Sequence, residues 1–350
     1  MANTPRIDKF ENNKIINGNF DFWQRGIGPV QINGYSCADR FRRSKTASYG
    51  WEWSQSTDIP TQAQSGFQSS FSLKMETVTT AGALAAGETT NAQYILEGYD
   101  AAALYNKKMT FSFWIKSNKP GTYAVALLNG AEDRSYVSEY TIDAANTWEK
   151  KSVVVQHSDT GVWTADSSAG IKLIWDFGSG TNLDTATTDT WLAGTFISTA
   201  NVANIQDTIG NTVFLSQVML NEGEVAGSFS RAGRTISEEL QMCQRYYEKS
   251  YDINTAPGTV TYNGAELLVG ADASNGLHGT SPYKVVKRVV PTSTAYNPVT
   301  GGTGTWRNDS NGTNLAVGVT GTLGERSFGH SGAPPVGHQI TGHWTADAEL

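Results

Sequence analysis

Cysteine is nearly missing from this 350-residue chain, which has only Cys37 and Cys243, far apart in sequence. Two such residues exclude a disulfide framework and read as free thiols of a protein made in a reducing cytoplasm. Long apolar runs are also missing, and no window approaches the roughly 20 apolar residues that span a bilayer. Basic residues are outnumbered, with 26 Lys and Arg against 33 Asp and Glu for a net charge of −7. Without long basic runs, that balance argues against a nucleic-acid groove. The chain has no Cys pair at zinc spacing and no nucleophile elbow, since Gly178–Gly180 and Gly332 lie only in Gly-rich turns. Gly301–Gly304 is not a phosphate loop, because no Lys follows it and no helix begins there. Residues 1–13 are polar and lack the apolar stretch of a secretory signal.

What is abundant is glycine (36) and aromatic side chains (10 Trp, 14 Tyr, 13 Phe), while charged residues make up only 17%. That composition belongs to turn-rich β-structure. Period-two alternation follows, with Tyr49, Trp51 and Trp53 on one face of a first strand. Phe67, Ser69, Phe71, Leu73 and Met75 mark a second, and Met109, Phe111, Phe113 and Ile115 a third. Further strands are expected at Tyr123–Leu127, Val153–Val155, Ile171–Phe177 and Val213–Leu220. One apolar and one wet face predict antiparallel sheets, and many short strands predict a sandwich. After residue 252, strands are expected at Val260–Tyr262, Leu267–Gly270, Tyr283–Val290 and Leu315–Val319. This last part holds few large aliphatics, so it is expected to need neighbours to complete a core.

One helix is expected, at Thr235–Tyr251. Thr235 and Glu238 have capping-box spacing, and Ile236, Leu240, Cys243 and Tyr247 recur at 4-3-4 intervals. That rhythm is the seam of a short coiled coil. The predicted fold is all-β: a jelly-roll-like sandwich, one short helix and a small β-rich C-terminal domain. The expected boundaries are 1–13 for an anchoring segment, 14–232 for the sandwich, 233–252 for a connecting or trimerising helix and 253–350 for a tip.

Four stretches carry a family resemblance: NKIINGNFDFWQRG with YSCADRF near the start, LQMCQRYYEKSY in the helix, KRVVPTSTAY, and the terminal GHWTADAEL. Together they resemble fibre and receptor-binding proteins of tailed bacteriophages, in which a carbohydrate-binding-module-like sandwich precedes a short helix and a β-rich tip. The resemblance implies a non-enzymatic virion protein, made in the host cytoplasm. It further implies a homotrimer joined to other virion proteins through its N-terminal segment and bound to host glycan or protein, with no nucleic acid and no membrane insertion. No cofactor is implied beyond a structural calcium, for which Asn19 and Asp21 are the matching oxygen donors. Arg25, Asp39 and Arg40 are candidates for an ion pair between the first two strands.

Sugar binding calls for aromatic faces among hydrogen-bonding side chains. Trp114, Trp163 and Trp191 in the sandwich and Tyr296, Trp306 and Trp344 in the tip are the candidates, each weighed against a half-buried structural ring. His278, His330, His338 and His343 cluster late, and His338 and His343 are the first candidates for a metal on a threefold axis. Two rival readings are a capsid-decorating or head-fibre protein and a polysaccharide depolymerase. The latter needs two carboxylates ~5–10 Å apart, and Glu132, Asp133 and Asp176 are the nominees.

Overall fold

A computed structural model describes residues 13–46, 50–79, 82, 84–270, 277, 279–320 and 324–350. Tyr49, His278 and all of the expected anchor except Asn13 lie outside the described residues. Asn13 itself is built into the first unit. It is 2% exposed, and its side chain accepts from the Leu220 N–H (3.1 Å) and donates to the Ser230 carbonyl (3.0 Å).

The chain forms two compact units. The first comprises residues 13–21 and 28–235, and the second comprises Phe22–Ile27 and Ile236–Glu349. The helix expected as a separate connector therefore belongs to the second unit, together with six residues from the far end of the chain.

The first unit is an antiparallel sandwich. One sheet runs β2 (Trp51–Ser56), β3 (Ser72–Thr77), β11 (Thr212–Glu222), β5 (Lys108–Ser117), β8 (Glu149–Gln156). The other runs β1 (Phe41–Lys45), β4 (Thr89–Glu97), β9 (Ala169–Ser179), β6 (Gly121–Asn129), β7 (Arg134–Ile142), β10 (Trp191–Ala193). Alternation places Met109, Phe111, Phe113 and Ile115 of β5 at zero exposure between the sheets. Across the gap, Phe111 meets Trp175 of β9 with ring centroids 5.1 Å apart, and Trp51 meets Phe177 at 6.0 Å. The strand expected to start at Phe67 starts at Ser72. Upstream of it the chain carries a one-turn helix, α1 (Gln62–Ser65), capped by Thr61. A second one-turn helix, α2 (Gly98–Ala101), follows β4.

The central strands of the six-stranded sheet are covered on both faces, so β4 is buried along its whole length and β6 from Tyr123 onward, with no alternation of exposure. On its outer face Ala124, Ala126, Leu128, Val137 and Ile174 are roofed by Leu183, Phe196, Ile197 and Val202, from the long connection between β9 and β11.

The second unit is built on one long strand, β20 (Gln339–Asp347). Its first half pairs with β13 (Glu266–Val269) and β16 (Thr305–Asn308), and its second half with β12 (Tyr247–Lys249) and β15 (Thr292–Tyr296). β17 (Thr313–Ala316) extends the sheet from β16, while β14 (Thr280–Pro282), β19 (Ser327–Ser331) and β18 (Gly318–Thr320) form a second small sheet. Aromatic rings supply the core that aliphatics do not, with Trp306, Phe328, Trp344 and Tyr283 packed around Ile340 and Ala346. The unit therefore has a core of its own, contrary to the expectation from its aliphatic content. Gly342 of β20 lies directly under the Trp306 ring, where an added Cβ would fall 2.0 Å from Cγ.

Four sequence expectations are corrected in this unit. The helix, α3 (Ile236–Gln244), stops early, because Tyr247–Lys249 pairs with Asp347–Thr345 as a strand. Ile236, Leu240, Cys243 and Tyr247 thus form no single helical stripe: Ile236 is 49% exposed, Leu240 half-buried, Cys243 buried, and Tyr247 in a ladder. Tyr283–Val290 is not a strand. The segment is organised around Lys287, whose ammonium is fully buried against Glu248 and the Gln244 carbonyl. Val260–Tyr262 is likewise an irregular, exposed stretch. Finally, Arg25 finds its carboxylates at the other end of the chain, Asp347 at 2.9 Å and Glu349 at 3.4 Å, with its guanidinium 3.7 Å above the Tyr247 ring. Neighbouring Gln24 donates to the Tyr247 carbonyl (3.0 Å) and accepts at its own carbonyl from Lys249 (2.7 Å).

Candidate functional site

The edge strands of the two sheets of the sandwich approach one another on one side, and there they frame an open groove of about 720 Å³. From the five-stranded sheet come Val154 and Gln156 of β8. From the six-stranded sheet come Tyr136 of β7 and Trp191 of β10, which are ladder partners with ring centroids 5.6 Å apart. The Trp191 indole N–H donates to the Gln156 carbonyl at 2.7 Å, tying one sheet edge to the other. With its N–H committed, the ring has its faces left to offer.

Two further rings back the groove. Trp163 stands edge-on to Trp191 at 5.5 Å and lies 4.1 Å from the His157 ring, and its own N–H donates to the Thr160 carbonyl. Tyr105 lies 4.8 Å from His157 on the same cluster and donates to the Thr164 carbonyl (2.5 Å). Burial, and then Asp166, push the Tyr105 hydroxyl up to about 12. His157 is the unusual member. It is 6% exposed and lines the groove, with both ring nitrogens shut away from solvent and the Ser158 backbone beside the ring. Burial lowers its pKa and the Ser158 backbone opposes the shift, so the imidazole is neutral near pH 7.

Polar groups complete the rim. Asn106 and Asp189 both adopt left-handed backbone conformations (φ 61° and 56°), which Asn and Asp tolerate better than other side-chain-bearing residues. Asp189 is fixed in place by its own N–H, which donates to the Val137 carbonyl (2.8 Å), and by the Ser138 hydroxyl, which donates to its Oδ1 (2.6 Å). An aromatic face bordered by amides, hydroxyls and carboxylates can stack on the apolar face of a sugar and bond its hydroxyls.

Of the six aromatic candidates, the structure brings two together here: Trp191 on the groove and Trp163 behind it. Trp114 is half-buried on the outer face of the five-stranded sheet. In the second unit, Tyr296 lines a separate cavity of about 600 Å³ with Arg25 and Tyr247. Trp306 and Trp344 are core residues at 0% and 2% exposure, so neither is available to a glycan. Tyr136, Gln156, His157 and Asp189 were not anticipated. They come from separate strands and loops, so no local signal in the sequence marks them.

The proposed metal ligands are otherwise engaged. Asn19 donates to Asp21 Oδ1 (2.9 Å) and accepts from Ser69, and Asp21 Oδ2 pairs with Arg231 at 2.7 Å. His343 stacks on Tyr251 at 3.7 Å, with Nδ1 bonded to the Ser250 hydroxyl and Nε2 to the Thr261 carbonyl. His338 Nδ1 lies 3.2 Å from Asn308 Oδ1. Among the described residues, no group of three or more His, Cys, Asp or Glu side chains is placed to hold a metal. The nominated acids are engaged as well. Glu132 pairs with Lys172, Asp133 bonds Asn129, and Asp176 is fully buried under Ser179, where burial raises its pKa to about 7.

No family model matches the chain, and no curated protein matches it. Similar solved structures include the enzymatically active domain of tailspike protein 4 of bacteriophage CBA120, at 12% identity and TM-score 0.35, covering 60% of this chain and 21% of that one. TmCBM61 in complex with β-1,4-galactotriose matches at 11% identity and TM-score 0.32, over 60% of this chain and 99% of the module. A family 11 carbohydrate-binding module of the cellulosomal cellulase Lic26A-Cel5E of Clostridium thermocellum matches at 10% and 0.31, over 57% and 98%. These likenesses are too distant to assign a ligand or an activity to this chain.

Proposed function

We propose that this chain is a non-enzymatic, glycan-binding attachment protein of a bacteriophage virion, and that the groove at Trp191 is its sugar site. The observation that carries the reading is the Trp191 ring, pinned through its N–H at the rim of an open groove that Asn106, Gln156 and Asp189 also line. The phage assignment rests on the resemblance of the four sequence stretches. Attachment through weak single sites calls for several copies on one particle, since avidity then multiplies a modest affinity. A homotrimer would supply them. The N-terminal residues would join the chain to other virion proteins.

The test is competition. Purified protein is expected to bind host cells saturably and to block adsorption of the phage that carries it, and Trp191→Ala is expected to do neither. A purely decorative capsid protein would neither bind cells nor compete. Release of reducing ends from host polysaccharide would replace the binding reading with a depolymerase.

A further inference from the structure

The charges and hydrogen-bonding groups of the groove bear on which glycans it can accept. Two exposed carboxylates, Asp159 and Asp189, border it. Lys108 is the one cation among its described lining residues, and its ammonium is already paired with Glu224. An incoming carboxylate, sulfate or phosphate would therefore meet like charge and no uncommitted cation. Trp191, with its N–H engaged, presents a ring face to which the apolar face of a pyranose is complementary.

We infer that the groove takes an uncharged glycan and discriminates against acidic ones, with Trp191 as the stacking platform and Asp159 and Asp189 as the source of the discrimination. This rests on the glycan-binding reading of the same groove and adds to it a substrate class and the residues that set it.

The experiment is surface plasmon resonance on the intact chain with a panel of neutral oligosaccharides (cellotetraose, xylotetraose, lacto-N-neotetraose). Acidic counterparts are run beside them: sialylated lacto-N-neotetraose and a galacturonic acid tetramer. At least one neutral member is expected to bind, with the acidic members ~10-fold or more weaker at low salt and the gap narrowing as salt screens the carboxylates. In Asp159→Asn/Asp189→Asn the gap is expected to close while neutral binding stays, because Asn keeps the left-handed backbone at 189. Trp191→Ala should abolish binding. Acidic glycans binding as tightly as neutral ones would overturn the inference and leave the glycan reading intact. Binding of no glycan, neutral or acidic, would overturn the glycan reading itself.

Discussion

Replacing Arg25 by Ala tests whether a six-residue stretch near the start of the chain is a working part of the C-terminal unit. The Arg25 side chain is 8% exposed, paired with Glu349 (4%) and Asp347 (42%), and stacked over Tyr247 at 3.7 Å. Removing one partner of a buried pair costs about 3–5 kcal/mol. The half-exposed Asp347 contact adds under ~1 kcal/mol, and the cation–ring contact ~1 kcal/mol. Because these terms overlap at one guanidinium, the expected loss is about 4 kcal/mol. The assay is urea unfolding followed by tryptophan fluorescence, with hydrogen exchange of the β20 amides identifying the transition of the second unit. Arg25→Lys keeps the charge but not the two-pronged geometry, and should lose roughly half as much. A loss below ~1 kcal/mol for Arg25→Ala would refute the reasoning, because that is the size of an ordinary surface ion pair.

Other outcomes follow from the two cores. Gly342→Ala places a methyl group 2.0 Å from Trp306 Cγ, so it should destabilise the second unit by at least ~3 kcal/mol, seen as early loss of near-ultraviolet tryptophan circular dichroism on heating. Asp176 sits at 0% exposure with its pKa raised to about 7 against the usual 3.8, so the folded protein holds a proton that the unfolded chain releases. Its contribution to stability is complete below about pH 4 and is lost as pH rises through 7, about 4 kcal/mol in all. Asp176→Asn should therefore gain on the parent protein from pH 4 to pH 7 in denaturant titrations and level off above that. A constant difference across that range would contradict the sign.

The sandwich was legible because strands such as β5 alternate apolar and polar side chains, and Met109, Phe111, Phe113 and Ile115 announce the core face in sequence, although Thr110, Ser112 and Lys116 on the other face are buried as well. β4 was not legible, since both of its faces are covered and Asn91 and Gln93 are satisfied inside by a side-chain relay to Thr89. The helix was overread because Tyr247 fits a heptad as well as it fits a strand. Only its pairing with Asp347, distant in sequence, decides the matter. The C-terminal core was underrated by counting aliphatics, when Trp306, Phe328 and Trp344 fill the space. At the groove, Trp163 and Trp191 could be nominated from their polar settings. The residues that give the site its chemistry, Tyr136, His157 and Asp189, converge from separate strands and loops and leave no local signature.

The most direct test of the central claim is a hydrogen–deuterium exchange footprint of the intact chain with and without a saturating bacterial surface polysaccharide to which it binds. Protection confined to residues 156–163 and 189–192, and absent in Trp191→Ala, is the predicted result. Protection elsewhere, on the second unit or on the outer face of the five-stranded sheet, with the groove unchanged, would contradict the account.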